Sequence, residues 1–259
     1  MEEQILIFDS HTHYTDSAYD EDRDALLSSL PEKGVVRCMV AAYDMESAVG
    51  SVQLAERYPH LIAAVGVHPE CTEVPGDYLL QLEQLAKHPR VKAIGEIGLD
   101  YHYDGYDPDF QKKIFREQLA LAEKLRLPVI LHCRDAMGDM LEILRECRPK
   151  QGVMHCFSGS AESAREVIAL GLHIGFTGVL TFKNARKPLE ALAQVPLDRL
   201  LIETDCPYMA PVPYRGKRCD STMLTEVVAV MAREKGVSTQ EIGRITAENA
   251  AALFACPLD

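Results

Sequence analysis

The sequence predicts an α/β protein built as a (β/α)8 barrel. Two observations carry this. Eight short runs rich in β-branched residues alternate with eight longer stretches of helical period. Each short run is predominantly apolar, as strands buried on both faces of a parallel sheet are. Size agrees: 259 residues with 47% hydrophobic composition suit one barrel and its core.

The elements follow in pairs. A strand at 5–9 leads to a helix at 20–30, 35–41 to 45–58, and 62–67 to 77–87. A strand at 91–96 precedes the helix 109–124, whose period is clear: Phe110, Ile114, Leu121 and Leu125 lie on one side, Lys112, Lys113, Glu117 and Lys124 mostly on the other. Strands at 129–132, 153–155, 173–177 and 200–204 pair with helices at 136–147, 161–170, 185–195 and 221–235. Residues 239–254 add two short helices. A doubly wound open sheet is the alternative, but the chain lacks a phosphate-binding GxGxxG. Gly and Pro are scattered, and no repeat or low-complexity tract appears, so residues 1–259 read as one domain.

Bulk properties exclude several functions. The start MEEQILIFDS is acidic and turns at once into a strand, unlike a signal peptide. No apolar run approaches the roughly 20 residues needed to span a bilayer. The eight cysteines are dispersed with no CxxC pair, which points to free thiols in a reducing, cytoplasmic setting. A net charge of −12 excludes a protein that coats duplex nucleic acid, which needs a strongly basic face. No obligate partner is evident, and the chain reads as a monomer.

In such a barrel, functional groups gather at the C-terminal strand ends. Strand 1 runs into His11 and His13, two apart on an extended chain and so directed to one face. Glu96 ends strand 4, His132 strand 5 and His155 strand 6, and Asp205 follows strand 8. Each alone has a structural explanation; six potential metal ligands converging from five strands do not. Asp9 and Glu203, two residues before ligands, are expected beneath them, orienting imidazoles. Cys133, Cys156 and Cys206 follow ligands directly and are expected to face the helix layer.

The segments DSHTH, VGVHPE, IGEIGLDY, LPVILHCRDA, HCFSG, TGVLTFKNA, ETDCPYMAP, PYRGKR and TAENAAALF resemble the TatD family of metal-dependent hydrolases, within the amidohydrolase-like superfamily. The likeness runs from Phe8 to Phe254. It implies a TIM barrel, two divalent metal ions and hydrolysis of DNA phosphodiesters, often as a 3′-to-5′ exonuclease. By motif, it implies His11, His13 and Asp205 on the first metal, Glu96 as the bridge, and His132 and His155 on the second. His68 falls on the family's GVHP histidine, and Arg215, Lys217 and Arg218 on its RGKR cluster. The chain departs from the family pattern at Cys219-Asp220-Ser221, where Asn, an acidic residue and Pro are usual. It departs again at Thr15, where an acidic residue is usual and Asp16 follows instead. Both departures are expected at the mouth.

These residues predict that a water, activated between two cations about 4 Å apart, attacks phosphorus. Asp205 is both ligand and proton acceptor, and Glu96 the second catalytic carboxylate. Arg134, two after His132, is a candidate phosphate clamp. The proline-stiffened loop carrying Arg215, Lys217 and Arg218, with Lys183 and Arg186 beside it, is a candidate backbone contact. Tyr101, Tyr103 and Tyr106 are candidate base-stacking residues. Three functions remain open: a deoxyribonuclease acting on single-stranded or frayed ends, a small-molecule hydrolase of amides or esters, and a non-catalytic metal-binding protein. The mixed imidazole and carboxylate donors suit zinc, manganese or magnesium.

Overall fold

The computed structural model describes residues 4–258. Eight parallel strands follow one another in chain order. They are β1 (Ile7–Thr12), β2 (Val35–Ala41), β3 (Leu61–Val65), β4 (Val91–Asp100), β5 (Val129–Arg134), β6 (Gly152–Met154), β7 (His173–Phe176) and β8 (Leu200–Ile202). Hydrogen bonds just beyond β8 close the ring: Asp205 N donates to His11 O at 3.0 Å, and His13 N to Cys206 O at 2.9 Å. Around it stand α1 (Arg23–Ser29), α2 (Met45–Arg57), α3 (Tyr78–Leu85), α4 (Pro108–Leu125), α5 (Met137–Cys147), α6 (Ala161–Ala169), α7 (Arg186–Gln194) and α8 (Leu224–Lys235). The predicted (β/α)8 barrel is the observed architecture. Among the described residues, no helix is long and apolar enough to cross a membrane.

Alternation along the strands divides the apolar residues into two cores. Phe8, Met39, Ile62, Ile130, Val153 and Leu201 fill the barrel interior, whereas Ile7, Val40, Leu131 and Ile202 face the helices. The tail is a single helix, α9 (Thr239–Leu253), not the two short ones expected. Ser238 caps it, and Thr246 in its middle donates to the Ile242 carbonyl one turn back at 2.8 Å, so nothing breaks the run. Ala247, Ala250 and Leu253 of α9 close the lower end of the interior core, with Phe254 6.1 Å from Phe8.

Two irregularities set the upper end. The β1–β2 register shifts between Asp9 and Thr12, and the β4–β5 register shifts between Ile94 and Ile97. Each shift adds a residue and changes which side chains face inward. β4 therefore runs four residues past Glu96, where the sequence predicted its end, with Ile97 and Leu99 in the outer core. Gly98 permits this, since a Cβ there would meet the His132 carbonyl oxygen at 2.0 Å. Two buried glutamines of α4 tie down the exits of β3 and β4. Gln118 bonds both the amide and the carbonyl of Val67, at 2.8 and 3.0 Å, and Gln111 does the same for Asp100, at 2.8 and 2.7 Å. His68 and Asp100 thus stand on anchored backbone.

Candidate metal centre

A pocket of about 880 Å3 opens at the C-terminal end of the barrel. His11, His13, Glu96, His132, His155 and Asp205 meet at its floor. His11 Nε2 lies 3.1 Å from His13 Nε2, 3.2 Å from Glu96 Oε2 and 3.7 Å from Asp205 Oδ1. His13 Nε2 lies 3.5 Å from the same Glu96 oxygen and 3.3 Å from the same Asp205 oxygen. The other oxygen of Glu96, Oε1, is 2.7 Å from His132 Nδ1 and 2.5 Å from His155 Nε2, and those two nitrogens are 3.3 Å apart. One carboxylate therefore faces two groups of donors.

The donor set fits divalent cations. Atoms bound tetrahedrally about 2.0 Å from a cation stand roughly 3.3 Å from one another, close to the spacings in the first group. Tautomers agree. His13 Nδ1 donates to the Ala41 carbonyl at 3.1 Å, and His132 Nε2 donates to Asp100 Oδ2 at 2.9 Å, so each ring turns a bare nitrogen to the centre. A bare nitrogen turned to the centre in each group suits a cation there.

Burial alone would raise the carboxyls of Glu96 and Asp205. The surrounding imidazoles outweigh it and hold both below their ordinary range: His155, His11 and His68 for Glu96, and the His13 hydrogen bond foremost for Asp205. Burial lowers His11, whereas Glu96 raises His155 against its burial.

His68 reaches the centre from the loop after β3, with Nε2 3.6 Å from Glu96 Oε1. Its Nδ1 accepts the Glu70 amide proton at 3.2 Å, so in the neutral ring the proton sits on Nε2. That tautomer makes His68 a donor toward the pocket rather than a bare-nitrogen ligand.

The two carboxylates expected beneath the ligands differ. Glu203 Oε1 lies 3.5 Å from His155 Nδ1, and the side chain fits because Gly175 has no Cβ, which would meet Glu203 at 2.3 Å. Asp9 follows the interior Phe8 and turns to the other layer. It accepts from Ser221 and Thr204 hydroxyls, both at 2.7 Å, and from the amides of Thr204 (2.9 Å) and His11 (3.3 Å). The register shift after Asp9 explains why it does not share the face of His11; its hydrogen bonds are all to backbone and hydroxyl groups, none to an imidazole. Burial pushes its carboxyl up to about 7. Sequence reading missed Asp100, which lies four residues beyond Glu96 and on the same face of β4, because the strand was expected to end at Glu96.

Arg134 lines the pocket, with its guanidinium over the Tyr103 ring at 5.1 Å and NH1 3.2 Å from the Tyr103 hydroxyl. Tyr101 does not line it: the ring stacks on Tyr106 at 4.6 Å, and the hydroxyl donates to Asp139 at 2.8 Å. The cationic loop also turns elsewhere. Arg215 packs over Phe182 at 3.8 Å and Lys217 over Tyr214 at 5.7 Å, while Arg218 donates two parallel hydrogen bonds to the Asp22 carboxylate at 2.7 and 2.6 Å. Lys183 and Arg186 are exposed, with Arg186 3.7 Å from Glu190. Of the two departures from the family pattern, Asp16 lines the pocket, but Ser221 is fully buried against Asp9 and not at the mouth. Of the cysteines, Cys206 packs in the outer core as expected, whereas Cys133, which packs partly against that core, and Cys156, at φ 42° with its thiol 3.8 Å from the Thr177 hydroxyl, both line the pocket.

Comparison with known proteins agrees with this geometry. Residues 8–255 match the family model described as TatD related DNase. An uncharacterized metal-dependent hydrolase, YabD of Bacillus subtilis, is 41% identical over 96% of this chain and 99% of its own. A protein of Musicola paradisiaca named 3'-5' ssDNA/RNA exonuclease TatD is 34% identical over 96% of this chain and 97% of its own. The crystal structure of YjjV, a TatD homologue from Escherichia coli, superposes with a TM-score of 0.91 at 33% identity, covering 97% of this chain and 98% of that one. The chain belongs to the TatD family, and it is a metal-dependent hydrolase.

Proposed function

We propose that this enzyme removes nucleotides from the 3′ ends of single-stranded or frayed DNA, using two divalent cations held on the two sides of Glu96. The observation that carries this reading is the split of the Glu96 oxygens between two donor groups at the floor of a nucleotide-sized pocket. His11, His13, Glu96 and Asp205 would hold one cation, and Glu96, His132 and His155 the other. Magnesium, manganese and zinc all suit such donors. When bound, the cations supply Lewis-acid activation of a water and of the phosphoryl oxygens.

The protein's own groups do the rest. Asp205, kept ionised by its imidazole neighbours, accepts the proton that the attacking water gives up. His68 donates from Nε2 to a phosphoryl oxygen as charge grows there, and Arg134 holds another. As water oxygen bonds to phosphorus, the bond from phosphorus to the preceding 3′ oxygen breaks. That oxygen takes a proton from solvent, and the terminal nucleotide leaves with its 5′ phosphate. Relatives named 3'-5' ssDNA/RNA exonuclease support the direction.

A second reading, hydrolysis of small phosphoesters, carboxyl esters or amides, draws on the acidic character of the mouth, where Asp16 and Glu70 face a single guanidinium. Degradation of 5′-labelled single-stranded DNA with magnesium, manganese or zinc separates the two. A ladder shortening from the 3′ end, lost with chelator and in Asp205→Asn, is expected. Intact DNA alongside rapid turnover of small esters would transfer the assignment to the second reading.

A further inference from the structure

The pocket poses a problem for a nuclease. Binding of single strands ordinarily relies on cations that track the backbone, combined with aromatic platforms for the bases. Here the cations are elsewhere. Arg215, Lys217 and Arg218 are engaged with Phe182, Tyr214 and Asp22, and Arg134 is the single Lys or Arg among the described residues that line the pocket. Asp16 and Glu70 on the rim repel a polyanion crossing the mouth. Beyond the scissile phosphate, which His68 and Arg134 can hold, grip on a nucleic acid must therefore come from groups other than phosphate contacts.

Two exposed tyrosines stand in the right places. Tyr103, on the loop after β4, is 56% exposed and lines the pocket, with one face backed by the Arg134 guanidinium. Tyr208, on the loop after β8, is 58% exposed and lines the same pocket, its hydroxyl 3.4 Å from Asp16 Oδ2. In a ring of eight strands in chain order, β4 and β8 are diametrically opposite. The two rings thus flank the Glu96 centre from opposing sides. Tyr101 and Tyr106, which stack on each other, do not line the pocket.

Resting on the nuclease reading above, we infer that Tyr103 and Tyr208 are opposed stacking platforms that seat the bases on either side of the scissile phosphate. The preferred substrate is then a single-stranded end two nucleotides long, and chain beyond that adds little. Paired ends fit poorly, because a base held in a duplex stack cannot lie on a tyrosine. Bases of any identity are accepted, since stacking uses the ring face alone.

The test uses the metal-loaded enzyme and two probes: a dinucleotide, and the same dinucleotide with its 3′ base removed. Tyr103→Ala and Tyr208→Ala should each raise KM for the full dinucleotide about ten-fold or more, with kcat changed less than three-fold. On the probe lacking a base, at least one of the two variants should match wild type. Tyr103→Phe and Tyr208→Phe should restore KM. A phosphorothioate dinucleotide carrying 2-aminopurine should lose fluorescence on binding to wild type and less so with the alanine variants. The salt dependence of KM should correspond to one or two phosphate contacts, a log–log slope of about 0.7 for each. Wild-type cleavage with KM unchanged in both alanine variants overturns the inference and leaves the nuclease reading intact. No cleavage of any nucleic acid by wild type overturns both.

Discussion

The two donor groups around Glu96 are built on different supports. In the first, His13 is held by a backbone carbonyl, and His11 Nδ1 has no hydrogen-bond partner among the described residues. In the second, His132 donates to the buried carboxylate of Asp100, and His155 Nδ1, also without a hydrogen bond among the described residues, faces Glu203 Oε1 at 3.5 Å. A carboxylate behind an imidazole makes it a more basic ligand and fixes its ring. The first group compensates by having two carboxylate donors in contact with the centre, Glu96 and Asp205, where the second has one. Charge is therefore delivered directly on one side and through the imidazoles on the other. Only the first side keeps a carboxylate free for a second task, that of accepting a proton.

Four substitutions break or sharpen this contrast. The largest effect is expected from Glu96→Ala, which removes the element common to both groups. Bound metal, measured by elemental analysis after gel filtration, should fall at both positions, and turnover should drop by more than about a thousand-fold, the order expected when activation of the nucleophile is lost. Retention of one tightly held cation would mean that the groups are independent. Asp100→Asn should act on one side alone, weakening the second cation about 10- to 100-fold, as loss of an outer carboxylate does. Calorimetric titration should then separate two phases that overlap in wild type; equal weakening of both would end the contrast. Smallest is the contrast between cations. Arg134→Ala should raise KM for a single-stranded end several-fold, whereas Arg218→Ala should leave both KM and the melting temperature nearly unchanged, because an exposed pair such as Arg218 with Asp22 contributes little.

The barrel was legible because its strands are buried on both faces, and runs such as residues 35–41 carry that pattern without ambiguity; β2 occupies those residues. The convergence of the six donors was legible because strand ends in this architecture share one rim. What escaped has two causes. Asp100 was missed because β4 runs four residues past its expected end at Glu96, and one extra residue after Asp9 turned a predicted support for His11 into a clamp on the β1–β8 seam. No propensity scale marks such a residue, since its cause lies in the neighbouring strand. The RGKR segment misled for another reason. Charge in sequence says nothing about partners, and Asp22, which takes Arg218, lies nearly the whole chain away. Tyr101 and Tyr103 were equivalent on paper until Asp139 and Tyr106 claimed the first.

Closure of the ring by its first and last strands has a consequence for synthesis. The second donor group, from Glu96 to His155, comes from the middle of the chain. The first group cannot form until Asp205 has left the ribosome to meet His11 and His13, which were made near the beginning. Until then, the two early histidines sit on a strand paired on one side only, with β2. Because cation binding and folding reinforce one another, a chain working with the two cations proposed above would complete the second donor group before the first, and its catalytic centre last.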